Sequence, residues 1–362
     1  MADPRPMTSA MSGYDAASEA MVGAASSLGL VERRTLLSGS VDVRFPLAPG
    51  DRCLVAVGDV IVAGTTIAEH LRDARVVVVP STAIAVDARP GERWTDPGPI
   101  GKRPKGLGTA ASGELLHERG GRWSLAVGEV AEAIDCPFGG VVRDVRPGIE
   151  IRIVAQGRTL AGVEALGDPT SGQLSLGGDR GNPGQGRLRS TSLDVGLAGT
   201  ILVIGSRVDA EALTRARAMG VRGVVVSGLA GKERRDFLAS EDRQRAALHR
   251  RPPFAVLVLD GALRRPIAGP VAAILDALAG SRVAITVDPP ALVFDQPRLR
   301  FVAPPADHVR VRTGDHAGEE GQWAGPAGLR RFIGGTFLEA GWIVLHDGST
   351  VPVPIADLER FG

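Results

Sequence analysis

TILVIGSRVDAEALTRARAMGVRGVVVS, residues 200–227, decides the fold class. It opens on the apolar run Thr200–Ile204 and closes on a second, Gly223–Val226. Nearly continuous β-branched runs are what strands buried on both faces look like. Between them, Asp209 can cap a helix from Asp209 to Met219, and Gly220 can stop it. Strand, helix and strand on short connections make a parallel unit with a right-handed crossover.

The alternation continues downstream. Phe254 to Leu259 and Arg282 to Val287 are further apolar runs, and Glu233 to His249 is a long charged helical segment. Pro270 to Ala279 repeats apolar residues at Val271, Ile274, Leu275 and Leu278 before Gly280, which covers one helix face. Residues 193–303 are therefore expected to form a three-layer parallel α/β domain in which the four runs are parallel neighbours.

Residues 31–176 read differently. Short β-branched runs cut by glycine (Cys53 to Val57, Val76 to Val79, Gly140 to Val142, Ile149 to Val154) predict a β-rich domain. Pro90 to Gly113 reads as a loop, residues 177–192 as a Gly-rich linker, and residues 1–30 as a disordered tail without a secretory signal. Residues 304–362 return to strands, with Asp347-Gly348 as a hairpin turn, and predict a small closed barrel.

Composition narrows the chemistry. Glycine (48) and proline (25) are abundant in the 362 residues, which favours turns and short strands. Nothing approaches 18 consecutive apolar residues, so no spanning helix and no membrane contact are expected, and the low cysteine count suits a reducing cytoplasm, the location expected. Cys53 and Cys136 form no CxxC motif and read as reduced thiols, with a disulfide between them left open. Only Lys102, Lys105 and Lys232 are lysines among 42 basic residues, so Schiff-base, carrier and P-loop chemistry have little to draw on. The six histidines show no metal spacing and default to solvated or turn positions.

Two stretches resemble known families. Val57-Gly-Asp-Val-Ile-Val-Ala-Gly-Thr-Thr-Ile67 and Cys136-Pro-Phe-Gly-Gly-Val-Val-Arg-Asp-Val145 are similar to the paired hairpins of biotinyl/lipoyl carrier domains. The resemblance implies a barrel-sandwich hybrid fold. It does not carry the attachment lysine, because Lys102 and Lys105 lie in the Gly/Pro loop and no Met-Lys-Met tripeptide is present. Val309, Val311, Gly314, Gly318 and Gly321, with the later strands through Ile355, resemble the KOW-type SH3-like barrels of transcription and ribosome-associated proteins. That resemblance implies contact with RNA, ribosome or polymerase. Against an RNA surface, Asp307 to Gly362 holds five arginines and eight acids.

Candidate sites follow from position. The carboxyl ends of the expected parallel strands carry Ser206, Ser227, Asp260 and Asp288, where open α/β sheets bind ligands. Gly228 to Gly231, followed by Lys232, sits where a helix N-terminus could meet phosphate, though the spacing departs from a P-loop and Glu233 follows. The most basic stretch, Lys232 to Arg265, includes Arg234, Arg235, Arg250, Arg251, Arg264 and Arg265 and could face an acidic partner.

The expected fold class is mixed β and α/β: a β-rich barrel-sandwich hybrid, a three-layer parallel α/β domain and a small SH3-like β-barrel. The expected function is a non-catalytic binding or scaffold protein with protein partners and no cofactor or metal. The alternatives are a small-ligand protein or enzyme at the α/β strand ends, and a nucleic-acid or ribosome-associated factor.

Overall fold

The apolar runs of the central region become the core of an eight-stranded sheet in the computed structural model, which describes residues 28–48, 51–90, 92–95, 112–177, 195–205, 208–247, 253–295 and 299–362. Nearly all of the expected linker, most of the Gly/Pro loop and most of the N-terminal tail lie outside them, as do Lys102, Lys105, Ser206, Arg250 and Arg251. Two units are distinguished, Leu37–Arg264 with Leu278–Arg298, and Met1–Leu36 with Arg265–Ala277 and Leu299–Gly362.

In the larger unit, strands Thr170–Leu176, Thr200–Ile204, Gly223–Val226 and Ala255–Val258 are parallel neighbours in that order. Arg282–Thr286 departs from the expectation: it runs antiparallel to Thr170–Leu176, and Ala291–Phe294 and Arg158–Ala161 extend that edge. Glu164–Gly167 closes the other edge, antiparallel to Ala255–Val258. Burial on both faces makes a strand apolar but does not encode its direction, so the fourth run carried no sign of its reversal. Strands between Arg158 and Leu176, read as the end of the β-rich region, thus pair into the same sheet as the runs that follow.

Helices α1 (Ala210–Ala218) and α2 (Gly231–Ala247) form the crossovers from Thr200–Ile204 to Gly223–Val226 and from Gly223–Val226 to Ala255–Val258. The Asp209 carboxylate accepts the Ala212 N–H at 2.7 Å, and Gly220 takes φ +85°, which only glycine adopts without strain. Ala212, Leu213 and Ala216 of α1 pack with Phe237 of α2 and the strand residues Leu202, Val224 and Val256. One charged pair joins the helices inside this layer. Arg217 of α1 bonds Glu241 of α2, both buried, and its guanidinium stands 5.9 Å from the centre of the Phe254 ring.

Two antiparallel sheets complete the unit. The four-stranded one orders Asp42–Pro46, Glu150–Ala155, Gly140–Arg146 and Val60–Ile61. Its inner side chains, among them Val43, Phe45, Ile61, Ile151 and Ile153, form one core with Ala284 and Val293 of the eight-stranded sheet. The five-stranded one orders Arg52–Cys53, Thr66–Pro80, Arg122–Asp135, Ser112–Glu118 and Arg93–Thr95 around Val79, Leu115, Trp123 and Leu125.

The smaller unit is a six-stranded sheet, ordered Glu32–Arg34, Leu358–Phe361, His308–Val311, Glu320–Arg331, Phe337–Leu345 and Thr350–Pro354. Among the described residues no pairing joins its two outer strands, so the expected closed barrel is an open sheet here. The reason lies upstream: Glu32–Arg34 pairs parallel with Leu358–Phe361 and takes the edge that a closing strand would use. Asp347-Gly348 makes the expected turn, with Gly348 at φ +82°. Trp323 lies so close to Gly341 that any side chain there would enter its ring.

Helix α3 (Gly269–Ala277) belongs to this smaller unit rather than closing the α/β series. The Glu320 carboxylate accepts the Gly269 N–H at 2.7 Å and lies 3.0 Å from His308 Nε2. Arg310, fully buried, lies 3.3 Å from Glu359 and donates to the Pro266 carbonyl at 2.5 Å. Burial works to raise the Glu320 carboxyl. Hydrogen bonds from His308 and Gly269, with the charges of His308 and Arg310, outweigh it and hold it below the usual carboxylate range.

Replacing Glu241 by alanine removes the nearer of two carboxylates around the buried Arg217, whose guanidinium still stands 3.9 Å from Asp168. Urea unfolding of Glu241→Ala should show a loss of about 1.5–3 kcal/mol, the worth of a charge-assisted hydrogen bond to a buried group. A loss below about 1 kcal/mol, typical of an exposed pair, would contradict this description.

Candidate functional site

At the carboxyl edge of the parallel strands the backbone turns interlock. The Ser227 N–H reaches the Gly205 carbonyl at 3.4 Å, and the Ser227 carbonyl accepts the Asp260 N–H at 2.7 Å. The Leu229 N–H donates to Gly261 at 2.9 Å. Ser227 is fully buried and Asp260 half-buried. These two predicted residues are brought together through their main chains.

Asp288 is not with them. It follows a strand that runs antiparallel to Thr170–Leu176, and so lies at the opposite edge of the sheet. There its carboxylate pairs with Arg44 at 3.0 Å, and its carbonyl accepts the Arg44 N–H at 2.8 Å. The single cleft expected for Ser206, Ser227, Asp260 and Asp288 therefore loses one carboxylate, and Ser206 lies outside the described residues.

The glycine turn before α2 is explained by packing. A side chain at Gly228 would strike the Leu263 carbonyl, with the Gly261 carbonyl 3.0 Å away. The close approach that suggested a phosphate cradle is occupied by the protein's own turn. Gly231 and Lys232 are exposed in the first turn of α2.

Among the described residues of the basic stretch, three arginines are engaged within the fold. Arg234 pairs with Glu164 at 2.6 Å, and Arg264 with Glu233 at 2.6 Å. Arg265 is buried in the smaller unit, where its guanidinium donates to the Arg312 carbonyl. Arg235 is exposed.

Two features escaped the sequence. The first is a group of ionisable residues around the Arg52–Cys53 strand. Asp51, buried, lies 2.6 Å from Nδ1 of the half-exposed His70, and Arg52 pairs with Glu69. Burial, only partly offset by Arg52 and reinforced by Glu69, pushes the Glu114 carboxyl up to about 7. Burial with Glu114 and Asp51 nearby pushes the Cys53 thiol to about 11, and burial pushes Cys136 to about 12. Both cysteines are free, and both are poor thiolates at neutral pH. No group of three or more His, Cys, Asp or Glu among the described residues is arranged to hold a metal ion.

The second feature is an apolar stripe on the four-stranded sheet. Val60 pairs directly with Val141 at the free edge, and both face outward, 74% and 36% exposed. Val57 and Val62 extend the stripe, while Ile61 between them turns into the core. Beside it the sheet face is charged: Arg143 and Arg152 both bond Asp42, at 2.9 and 2.6 Å. The signal was present in Val60-Ile61-Val62, where an edge strand calls for one polar face and has none.

With a carboxyl raised from 4.5 to about 7, Glu114 ionises earlier in the unfolded chain than in the fold. The unfolded state then releases its proton first, so this residue makes stability fall as pH rises through that window, with no further loss above it. Glu114→Gln should flatten the fall in thermal midpoint between those pH values and gain stability at pH above about 7. An unchanged pH profile would refute the burial assigned to this carboxyl.

The sequence matches no known protein-family model, and no curated protein shows significant similarity to it.

Proposed function

We propose that this chain is a non-catalytic binding protein that docks a protein partner on the valine edge of its four-stranded sheet. The observation that carries the reading is the group of outward valines, Val57, Val60, Val62 and Val141, at an edge with which no further described strand pairs. Soluble proteins seldom leave such a group to water, and an apolar centre beside a charged rim is how protein interfaces are built. The Arg143–Asp42–Arg152 group supplies that rim.

The barrel-sandwich hybrid reading of this region belongs to the proposal. It is supported by the pairing of the two resembling segments: Ile61 registers with Gly140, the Gly64 N–H donates to Cys136, and the Cys136 N–H donates to Thr65. In this reading the fold serves as a platform, without the carrier lysine. The smaller unit is read as an SH3-like module left open at one edge, and the setting as the cytoplasm.

Affinity capture with the full chain from an extract of its source cells tests the reading. A protein retained by the wild type should be lost with Val60→Asp/Val141→Asp, whose side chains are outside the core and whose thermal midpoint should hold. Burying what is exposed of the two valines contributes about 1.5 kcal/mol in total, so the pair should weaken binding by at least about 10-fold. Equal retention by both proteins, or recovery of nucleic acid alone, would sink it.

A further inference from the structure

The two longest strands of the smaller unit run past every described strand that pairs with them. Glu320–Arg331 pairs with Phe337–Leu345 along its length, but His308–Val311 covers only Glu320 to Gln322, and Thr350–Pro354 covers only Ala340 to Val344. Residues 328–339 are left as a two-stranded arm, nearly all of it exposed.

The arm has a graded composition. At its tip are Phe332, Ile333, Gly334 and Gly335, with Ile333 88% exposed. Behind them the rungs are Arg331 with Phe337, Arg330 with Leu338, and Leu329 with Glu339. Side chains alternate across the ladder, so Phe337 and Leu338 point to opposite faces, and both are exposed. A hairpin apolar at its tip and on both faces fits a medium that surrounds it, not a flat surface that covers one side.

Depth and charge narrow the medium. At roughly 3.4 Å per rung, the Arg330–Leu338 rung lies about 7 Å behind the Phe332–Thr336 rung, within the ~5–10 Å to which interfacial elements enter a bilayer. The rungs that carry the two arginines would then stand between the apolar tip and the phosphate level, and Glu339, one rung further back, outside. Arg331 lies beside Gly335 at the tip, and Arg330 is turned back along the arm, donating to the Ala327 carbonyl at 3.0 Å with its guanidinium 5.0 Å from the Trp342 ring centre. The arm carries two arginines and one acid, whereas the rest of Asp307 to Gly362 carries three arginines and seven acids. The positive charge of this region is concentrated where the apolar tip is.

We infer that the arm of residues 328–339 is a membrane-interface anchor, its Phe332–Leu338 tip entering an anionic phospholipid surface and Arg330 and Arg331 binding the headgroup phosphates. The sequence-based expectation of no membrane contact rested on the lack of a spanning apolar run, and a hairpin tip needs none.

The test is flotation of the full chain with vesicles of equal parts phosphatidylglycerol and phosphatidylcholine, against phosphatidylcholine alone. The wild type should float with the anionic vesicles and be released by high salt. Arg330→Gln/Arg331→Gln should lower the partition about 30-fold, at about 1 kcal/mol for each cation near an anionic surface. Ile333→Asp/Phe337→Asp should abolish it. Should either variant fail to fold, Ile333→Trp provides a separate readout: its added emission should shift to the blue on anionic vesicles and be quenched by brominated acyl chains. Equal flotation with neutral vesicles, no flotation, or an indole at position 333 that stays in water would overturn the inference. So would an arm-dependent protein or RNA complex without lipid binding. The valine-edge reading does not depend on any of these outcomes.

Discussion

Strand Thr170–Leu176 carries a hydrogen-bonded ladder on each side, and the two ladders run in opposite senses. On one side it is parallel to Thr200–Ile204 and begins the α/β series. On the other it is antiparallel to Arg282–Thr286, which brings the chain back across the sheet. The change of polarity at this strand decides which residues share an edge. It leaves Ser227 and Asp260 at one end of the sheet and carries Asp288 to the other. The same returning strands hold Ala284 and Val293 against the inner face of the four-stranded sheet, so one hydrophobic core serves both.

Part of the charge in this chain works inward. With lysine almost absent, the cations are guanidiniums, whose planar donors suit buried and bidentate pairing. Arg217 joins two helices through Glu241, and Arg310 ties the 265–268 segment to the C-terminal sheet through Glu359 and the Pro266 carbonyl. Arg234 and Arg264 are paired as well. A count of arginines along a stretch is thus a poor guide to a basic surface. Arg330 and Arg331, on an arm that stands clear of the sheet, differ from these.

The glycines teach a similar lesson. Gly228 resembled part of an anion cradle, and Gly341 had no reading at all. Both are places where another part of the fold, the Leu263 carbonyl or the Trp323 ring, comes too near for a side chain. Tight approach by the protein itself leaves the same mark in a sequence as tight approach by a ligand.

The order of strands and helices from Thr200 to Val258 was legible in the residues themselves. Apolar runs, the Asp209 cap and the Gly220 stop are local signals, and local hydrogen bonding and burial decide them. So was the Asp347-Gly348 turn. What the residues did not contain was direction and closure. A strand buried on both faces looks the same whichever way it runs, so only the assembled sheet placed Asp288. Edge occupancy by Glu32–Arg34, the outward turn of the valine stripe and the unpaired arm depend on contacts between segments far apart in the chain. Such contacts are set by the packing of whole sheets, which no short window of sequence can express.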